Sequence, residues 1–334
     1  MSNASGRLVD RFGRVHTNLR VSVTDRCNIR CLYCMPNENV QFMPRDEILS
    51  FEEIARFVRV AAGLGVNKLR LTGGEPLVRH ELAELIRLLA RIEGIDDIAL
   101  TTNGILLDQH ARELKEAGLH RLNISLDTLD EDTYRQISRR EGVDRIVAGI
   151  VAAQQAGFEK IRINAVTMRG INDQDVTTLS RFAREHDLEM RFIEFMPLDA
   201  ENAWENELVV TGSEVRARLE DAFGPLVAAE RGDPSQPAVD YNFADGGGRV
   251  GLINPVSEPF CDQCNRLRIT AEGKIRNCLF STTEWDARAL LRGSASDAEL
   301  ADLIREAVSA KKRGHGIDEP HFVRPERAMY QIGG

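Results

Sequence analysis

Between residues 19 and 195 of this 334-residue chain, six short apolar runs alternate with five amphipathic ones, and nothing else limits its fold as much. The apolar runs at 19–23, 68–71, 97–101, 121–125, 160–166 and 189–195 read as strands. Those at 51–64, 81–92, 109–117, 144–156 and 175–186 read as helices. The first helix opens on a capping box, Ser50 followed by Glu53. After Gly142, the apolar residues Ile146, Val147, Ile150 and Val151 recur at the spacing of one buried helix face. Repeated βα units imply a parallel sheet with right-handed crossovers. The alternation stops after Phe195, so an α/β fold built on an incomplete (βα)6 TIM-like barrel fits better than a closed eight-strand one.

Beyond that point the pattern changes. Thr211 and Glu214 form a second capping box, opening a helix to about Phe223. Residues 224–237, rich in Gly, Pro, Asp and Ser, read as a linker or long loop. Short strand-like pieces follow, with Gly246-Gly247-Gly248 among their turns. Two helices come last, at 283–291 and at 297–312, the second capped by Ser296 with Glu299. Two domains, 1–223 and 224–334, are expected. No apolar run approaches the roughly 20 residues of a membrane-spanning helix, and residues 1–10 lack the apolar core of a signal peptide. A cytoplasmic protein without membrane contact is expected. The net charge of −9 argues against a nucleic-acid partner, which requires a basic footprint.

The six cysteines fall into two groups. Cys27, Cys31 and Cys34, spaced C-x3-C-x2-C, directly follow the first strand. Cys261, Cys264 and Cys278 form the second group. Without a secretion signal, such grouping points to metal or redox chemistry rather than disulfides. Three thiolates in a short loop suit an iron–sulfur cluster, one of whose irons then has no protein ligand. A zinc site is the alternative. Zinc usually takes four ligands, and none of the seven histidines lies within either group.

The other conspicuous motifs all follow strands. They are Thr72-Gly73-Gly74-Glu75-Pro76, Thr101-Thr102-Asn103-Gly104, Ser125-Leu126-Asp127 and Glu194-Phe195-Met196-Pro197. Ligands of parallel βα folds bind at the carboxyl ends of strands, so these motifs and the first cysteine group mark one active-site face. Gly73-Gly74 reads as a turn needing positive φ, which also lets a ligand's amino group approach the backbone. Arg20, Arg70 and Arg162 lie inside β-runs. On the inner face of a barrel each needs an anion, whereas on the outer face each is merely solvated. Arg266 and Arg268, just after Cys264, are either the basic face of an edge strand or contacts to an anionic substrate. The chain has no G-x-x-x-x-G-K-[ST] phosphate loop.

The cysteine loop, with Tyr33 before its third cysteine, and the Gly-Gly-Glu-Pro run resemble the radical S-adenosylmethionine (SAM) enzymes. Residues 10–14, 19–36, 72–76, 101–104 and 261–268, with Cys278 and the terminal Gly333-Gly334, are similar to the GTP 3′,8-cyclases of molybdenum-cofactor biosynthesis. That resemblance spans essentially the whole chain. It implies two [4Fe–4S] clusters, one on Cys27, Cys31 and Cys34, the other in a C-terminal domain on Cys261, Cys264 and Cys278. It implies SAM contacts at Tyr33, Gly74, Ser125 and Met196, and GTP contacts at Arg20, Arg70, Thr101, Arg162, Arg266, Leu267 and Arg268. No side chain acts as a catalyst, because the cluster and SAM generate the radical. The implied reaction abstracts the ribose C3′ hydrogen and joins C3′ to C8, giving (8S)-3′,8-cyclo-7,8-dihydroguanosine 5′-triphosphate.

The implied partners are a reductase or flavodoxin-type electron donor and a downstream cyclic pyranopterin monophosphate synthase, with the enzyme a monomer or homodimer. At Arg162 that family commonly has lysine, so a guanidinium fork here replaces a point charge. The terminal glycines are expected to reach the active site. Two rival readings are a peptide-modifying radical enzyme with an auxiliary cluster and a zinc-stabilised interaction protein.

Overall fold

The computed structural model describes residues 6–198, 204–317 and 319–333. Its six expected strands are β1 (Asn18–Ser22), β2 (Lys68–Thr72), β3 (Asp97–Thr102), β4 (Arg121–Ser125), β5 (Ile161–Thr167) and β6 (Glu189–Glu194). They pair in that order, every pair parallel. Helices α1 (Phe51–Gly63), α2 (Leu82–Ala90), α3 (Leu107–Glu116), α5 (Val143–Gln155) and α6 (Val176–Glu185) cover one face. Ser50 caps α1 as expected: its hydroxyl accepts from Glu53 N at 3.2 Å, and the Glu53 carboxylate accepts from Ser50 N at 2.7 Å.

Alternation sorts the side chains. Leu19, Val21, Leu69, Leu71, Leu122, Ile124 and Ile163 are buried against the helices with Phe57, Leu85, Ile86, Ile146 and Ile150. Each such side chain contributes about 1.5–3 kcal/mol by leaving water. The residues between them, Arg20, Arg70, Asn123 and Arg162 included, must then face the opposite side, where a cavity lies.

Helix α4 (Glu131–Ser138) lies between β4 and α5, where only a connection was expected. It is short and polar, with Tyr134 and Ile137 as its buried anchors, too few to show a period. Asp130 caps it, accepting from Thr133 N at 2.8 Å.

The chain after Phe223 extends the same sheet at both edges. After α7 (Gly212–Phe223) come β7 (Leu226–Ala228), β8 (Val239–Phe243) and β9 (Arg249–Ile253), and β9 pairs parallel with β6. At the other edge β10 (Arg266–Ile269) pairs parallel with β1, followed by β11 (Lys274–Arg276) and β12 (Trp285–Asp286). Among the described residues the result is one twelve-stranded sheet. Three readings are corrected here. Residues 224–237 contain a strand, the helix expected from Thr283 begins at Ala287 (α8, Ala287–Arg292), and Arg266–Ile269 is an interior strand rather than an edge. These strands are short and pair with partners remote in sequence, so local patterning shows strand-like pieces but not their pairing. Helix α9 (Asp297–Ser309) has the expected Ser296–Glu299 cap, and α10 (Met329–Ile332) ends the described chain. Among the described residues no helix is long and apolar enough to cross a membrane.

Candidate active site

The first cysteine loop leaves β1 and is fastened on three sides. Arg30 N and Leu32 N donate to the carbonyls of Ser138 and Ile137 at 2.8 and 2.9 Å, so the end of α4 carries the loop. The Tyr33 hydroxyl donates to Asp127 Oδ2 at 2.7 Å, and Asp127 Oδ1 accepts from Val166 N at 2.8 Å. Gly74 N and Glu75 N donate to the carbonyls of Thr24 and Arg26, both at 2.8 Å. Gly73 has the expected positive φ, 143°. Both glycines are also needed because the backbone of residues 24–26 lies where a Cβ would sit.

Glu75 continues the link. It accepts from Thr102 Oγ1 at 2.7 Å and Asn103 N at 2.6 Å, and Asn103 Nδ2 donates to Asn28 Oδ1 at 2.7 Å. Burial lifts the Glu75 carboxyl to about 7 and that of Asp127 to about 6. The thiols are shifted too. Burial pushes Cys27 up to about 11 and Cys34 up to about 12, with Cys31 also well above the ordinary thiol value. A loop that so disfavours bare thiolates suits a ligand bringing its own positive charge, as an iron cluster does.

The second group is built differently. Cys264 N donates to the Cys261 carbonyl at 3.0 Å, and Arg266 Nη2 lies 3.2 Å from the Cys264 sulfur. Burial alone would raise this thiol, but Arg266 and Lys311 outweigh it and bring it down to about 6. All six cysteines are free of disulfides. Among the described residues no three His, Cys, Asp or Glu side chains converge on a single-ion site.

Between the strands lies a cavity of about 1350 Å³, lined by residues of β1 to β6 and β8 to β10 and by the second cysteine group. The sheet therefore curls around it as an open barrel. Arg20, Arg70, Thr101, Arg162, Met196, Arg266 and Arg268 all line it. Arg162 Nε pairs with Glu189 Oε2 at 2.8 Å, and Arg191 Nη2 pairs with Glu189 Oε1 at 2.6 Å. Lys68 Nζ meets Asp233 Oδ2 at 2.7 Å, and Arg121 pairs with Asp97.

Arg266 and Arg268 meet a sulfur and a carbonyl rather than a carboxylate, and Arg20 and Arg70 have still less. Among the described residues neither pairs with a carboxylate, Arg20 Nε has no partner at all, and Arg70 reaches only Thr101 Oγ1, at 3.5 Å. Burial, then the charges of neighbouring arginines, drives both guanidiniums well below their ordinary value. Buried cations left unpaired are costly, and a polyanionic ligand removes that cost.

Not every expected residue faces this space. Leu267 is fully buried, and alternation turns its side chain to the helix-covered face, so only its backbone is available to a ligand. Tyr33, Gly74 and Ser125 belong to the cysteine-loop end, outside the cavity wall. The tail connects the two regions. Met329 lines the cavity, the Tyr330 N–H faces the Cys34 sulfur, and the Gly333 carbonyl accepts from Arg268 Nη1. Gly334 lies outside the described residues.

Sequence reading passed over Lys68, Asn123, Arg191 and Lys311, which also line the cavity. Arg191 carried the same signal as Arg162, a charge inside a β-run. Lys311, at the end of a helix, carried none.

The pattern "Radical SAM superfamily" matches residues 21–183, and "Molybdenum Cofactor Synthesis C" matches residues 188–317. A GTP 3′,8-cyclase of Rhodopirellula baltica is 50% identical over 98% of this chain and 92% of its own length. The chain belongs to the GTP 3′,8-cyclase family. Members from Streptomyces coelicolor (44% identical, 98% of this chain and 96% of its own) and Pelotomaculum thermopropionicum (46%, 97% and 99%) agree. Among solved structures, Streptococcus suis SuiB bound to precursor peptide SuiA aligns with TM-score 0.64 at 16% identity, over 89% of this chain and 67% of that one. The structure of anSMEcpe with bound AdoMet aligns with TM-score 0.62 at 15% identity, over 89% and 78%. Both share the radical SAM fold.

Proposed function

We propose that this chain converts GTP to (8S)-3′,8-cyclo-7,8-dihydroguanosine 5′-triphosphate, the first step of molybdenum-cofactor biosynthesis. The observation that carries the reading is the cation-lined cavity next to a three-thiol site, with Arg20 and Arg70 lacking any acidic partner among the described residues. Such a space is matched to a nucleoside triphosphate and poorly matched to an ordinary peptide.

In this reading Cys27, Cys31 and Cys34 hold one [4Fe–4S] cluster and Cys261, Cys264 and Cys278 the other, each set leaving one iron without a protein ligand. The donor sets fit: three thiols each, the first set buried without cations enough to ionise it, the second containing Cys264, which Arg266 and Lys311 bias toward thiolate. When bound, the first cluster and SAM supply a 5′-deoxyadenosyl radical. Everything else is positioning. Tyr33, Gly74, Ser125 and Met196 surround SAM. Arg20, Arg70, Thr101 and Arg162 grip the triphosphate and ribose end of GTP, and Arg266, Arg268 and the Leu267 backbone hold its base beside the second cluster. Asp233, Asp97 and Glu189 neutralise part of the cationic wall, leaving an excess of positive charge for the phosphates.

The electron donor is a reductase or flavodoxin-type protein, the product passes to a cyclic pyranopterin monophosphate synthase, and the setting is cytoplasmic. The test is anaerobic incubation of reconstituted protein with SAM, reductant and GTP. Formation of 5′-deoxyadenosine together with the cyclised nucleotide supports the reading. SAM cleavage that yields no cyclised nucleotide in the presence of GTP overturns it.

A further inference from the structure

Two buried cations outside both cysteine groups tie down the main chain around the second one. Residues 9–15 form a tight hairpin closed by a Val9–Val15 bridge. Inside it the Asp10 carboxylate accepts from Arg14 Nε at 2.6 Å and lies 3.0 Å from His16 Nε2. The rest of the Arg14 guanidinium is spent on carbonyls. Nη1 donates to Cys261 O at 2.7 Å and Arg313 O at 2.9 Å, and Nη2 donates to Lys312 O at 2.7 Å. Lys311, only 3% exposed, donates from Nζ to Arg266 O at 3.0 Å and to Asn277 O. Of these five carbonyls, one is that of Cys261 itself, that of Arg266 lies two residues past Cys264, and that of Asn277 immediately precedes Cys278.

The two cations differ in one respect. Arg14 has Asp10 as its counter-ion, whereas Lys311 pairs with no carboxylate among the described residues. It shares the cavity wall with Cys264 and Cys278, whose thiolate charge favours its ammonium. Burying an ammonium without a counter-ion is costly, and a thiolate-held cluster is the anion that offsets it.

We propose that Arg14 and Lys311 are positioning residues for the second iron–sulfur cluster: they hold the backbone beside all three cysteines, and Lys311 places an otherwise unpaired positive charge against the thiolates. This rests on the reading that Cys261, Cys264 and Cys278 carry a cluster. The charge favours the reduced cluster, and the bracket fixes the spacing of the thiols before iron arrives.

The experiment compares anaerobically reconstituted wild type with Lys311→Met, Lys311→Gln, Lys311→Arg and Arg14→Lys. It follows iron and sulfide content, and redox titration of each cluster by electron paramagnetic resonance. Lys311→Met is expected to lose the second cluster's signal and roughly half the iron while keeping the first cluster and GTP-independent SAM cleavage. Lys311→Gln, which retains a donor without the charge, is expected to keep more iron but to shift the second cluster to a more negative potential. Lys311→Arg and Arg14→Lys should lie nearest the wild type.

Unchanged iron and an unchanged second potential in both Lys311→Met and Lys311→Gln would overturn the proposal. So would joint loss of both clusters in every variant, which marks a role in folding alone. A wild-type chain holding one cluster would instead remove the two-cluster reading, and this proposal with it.

Discussion

Tyr33 and Asp127, 94 residues apart, are joined by a 2.7 Å hydrogen bond from the phenol to the carboxylate. The bond pins the cysteine loop after β1 to the end of β4, and Asn172 Nδ2 supports the same turn by donating to the Asp127 carbonyl at 2.8 Å. A loop that must present three thiols to one cluster is thereby held by side chains from two other βα units.

Replacing Asp127 with Ala leaves the Tyr33 hydroxyl and the Val166 N–H without partners in a buried setting. Each orphaned group costs about 1–3 kcal/mol. The expected outcome is a lower thermal midpoint and loss of most SAM cleavage, with the circular dichroism spectrum retained. Calorimetry and 5′-deoxyadenosine assays measure the two effects separately.

Arg70→Met should divide stability from binding. It removes a buried cation that has no acidic partner among the described residues, so the nucleotide-free protein is expected to be no less stable, and to melt at or above the wild-type temperature. GTP affinity is expected to fall by about tenfold or more. Thermal shift with and without GTP gives both numbers, and a variant that melts lower yet binds GTP normally contradicts this account.

Glu75 sets a pH dependence. Its carboxyl is lifted from 4.5 to about 7 by burial, so the fold favours the protonated form. The stability this gives is complete below pH 4.5 and is lost as pH rises to about 7, up to about 3 kcal/mol in all. In cluster-free protein, urea midpoints at pH 5 and pH 8 should therefore differ more for the wild type than for Glu75→Gln.

Gly74→Ala would set a methyl group against the backbone carbonyls of Asp25 and Arg26, just ahead of the first cysteine. The clash displaces the cysteine loop at a cost of about 1–3 kcal/mol. Reconstituted variant protein should lose first-cluster iron and SAM cleavage while the second cluster's signal persists.

Arg162→Lys tests the fork at β5. Both side chains can pair with Glu189, which Arg191 also engages, so the KM for GTP is expected to change by no more than about fourfold. Arg162→Ala, which leaves Glu189 with one cation fewer, should raise it further.

How far the sequence could be read followed from the range of the interactions. Ser50–Glu53, Thr211–Glu214 and Ser296–Glu299 are contacts within one helical turn, and all three capping boxes form as expected. Alternation sets Arg70 and Arg162 opposite their apolar neighbours, because the strand period is two, but it leaves open whether that face lies inside or outside the barrel. By contrast, α4 has only two buried anchors, and β9 and β10 find their parallel partners far along the chain. Neither the helix nor those pairings can be read from a local pattern.

The sequence by itself determined the chemistry and its location. Two three-cysteine groups and glycine-rich motifs at strand ends are covalent facts, and a parallel βα sheet places its loops at one end. Only the tertiary structure decided how those groups are held. Whether Arg162 has an acidic partner while Arg20 has none among the described residues, and whether Arg14 reaches the carbonyl of Cys261, depends on how residues distant in sequence pack. Those contacts are side-chain hydrogen bonds of about 3 Å, set by the folded backbone and encoded in no short stretch of the chain.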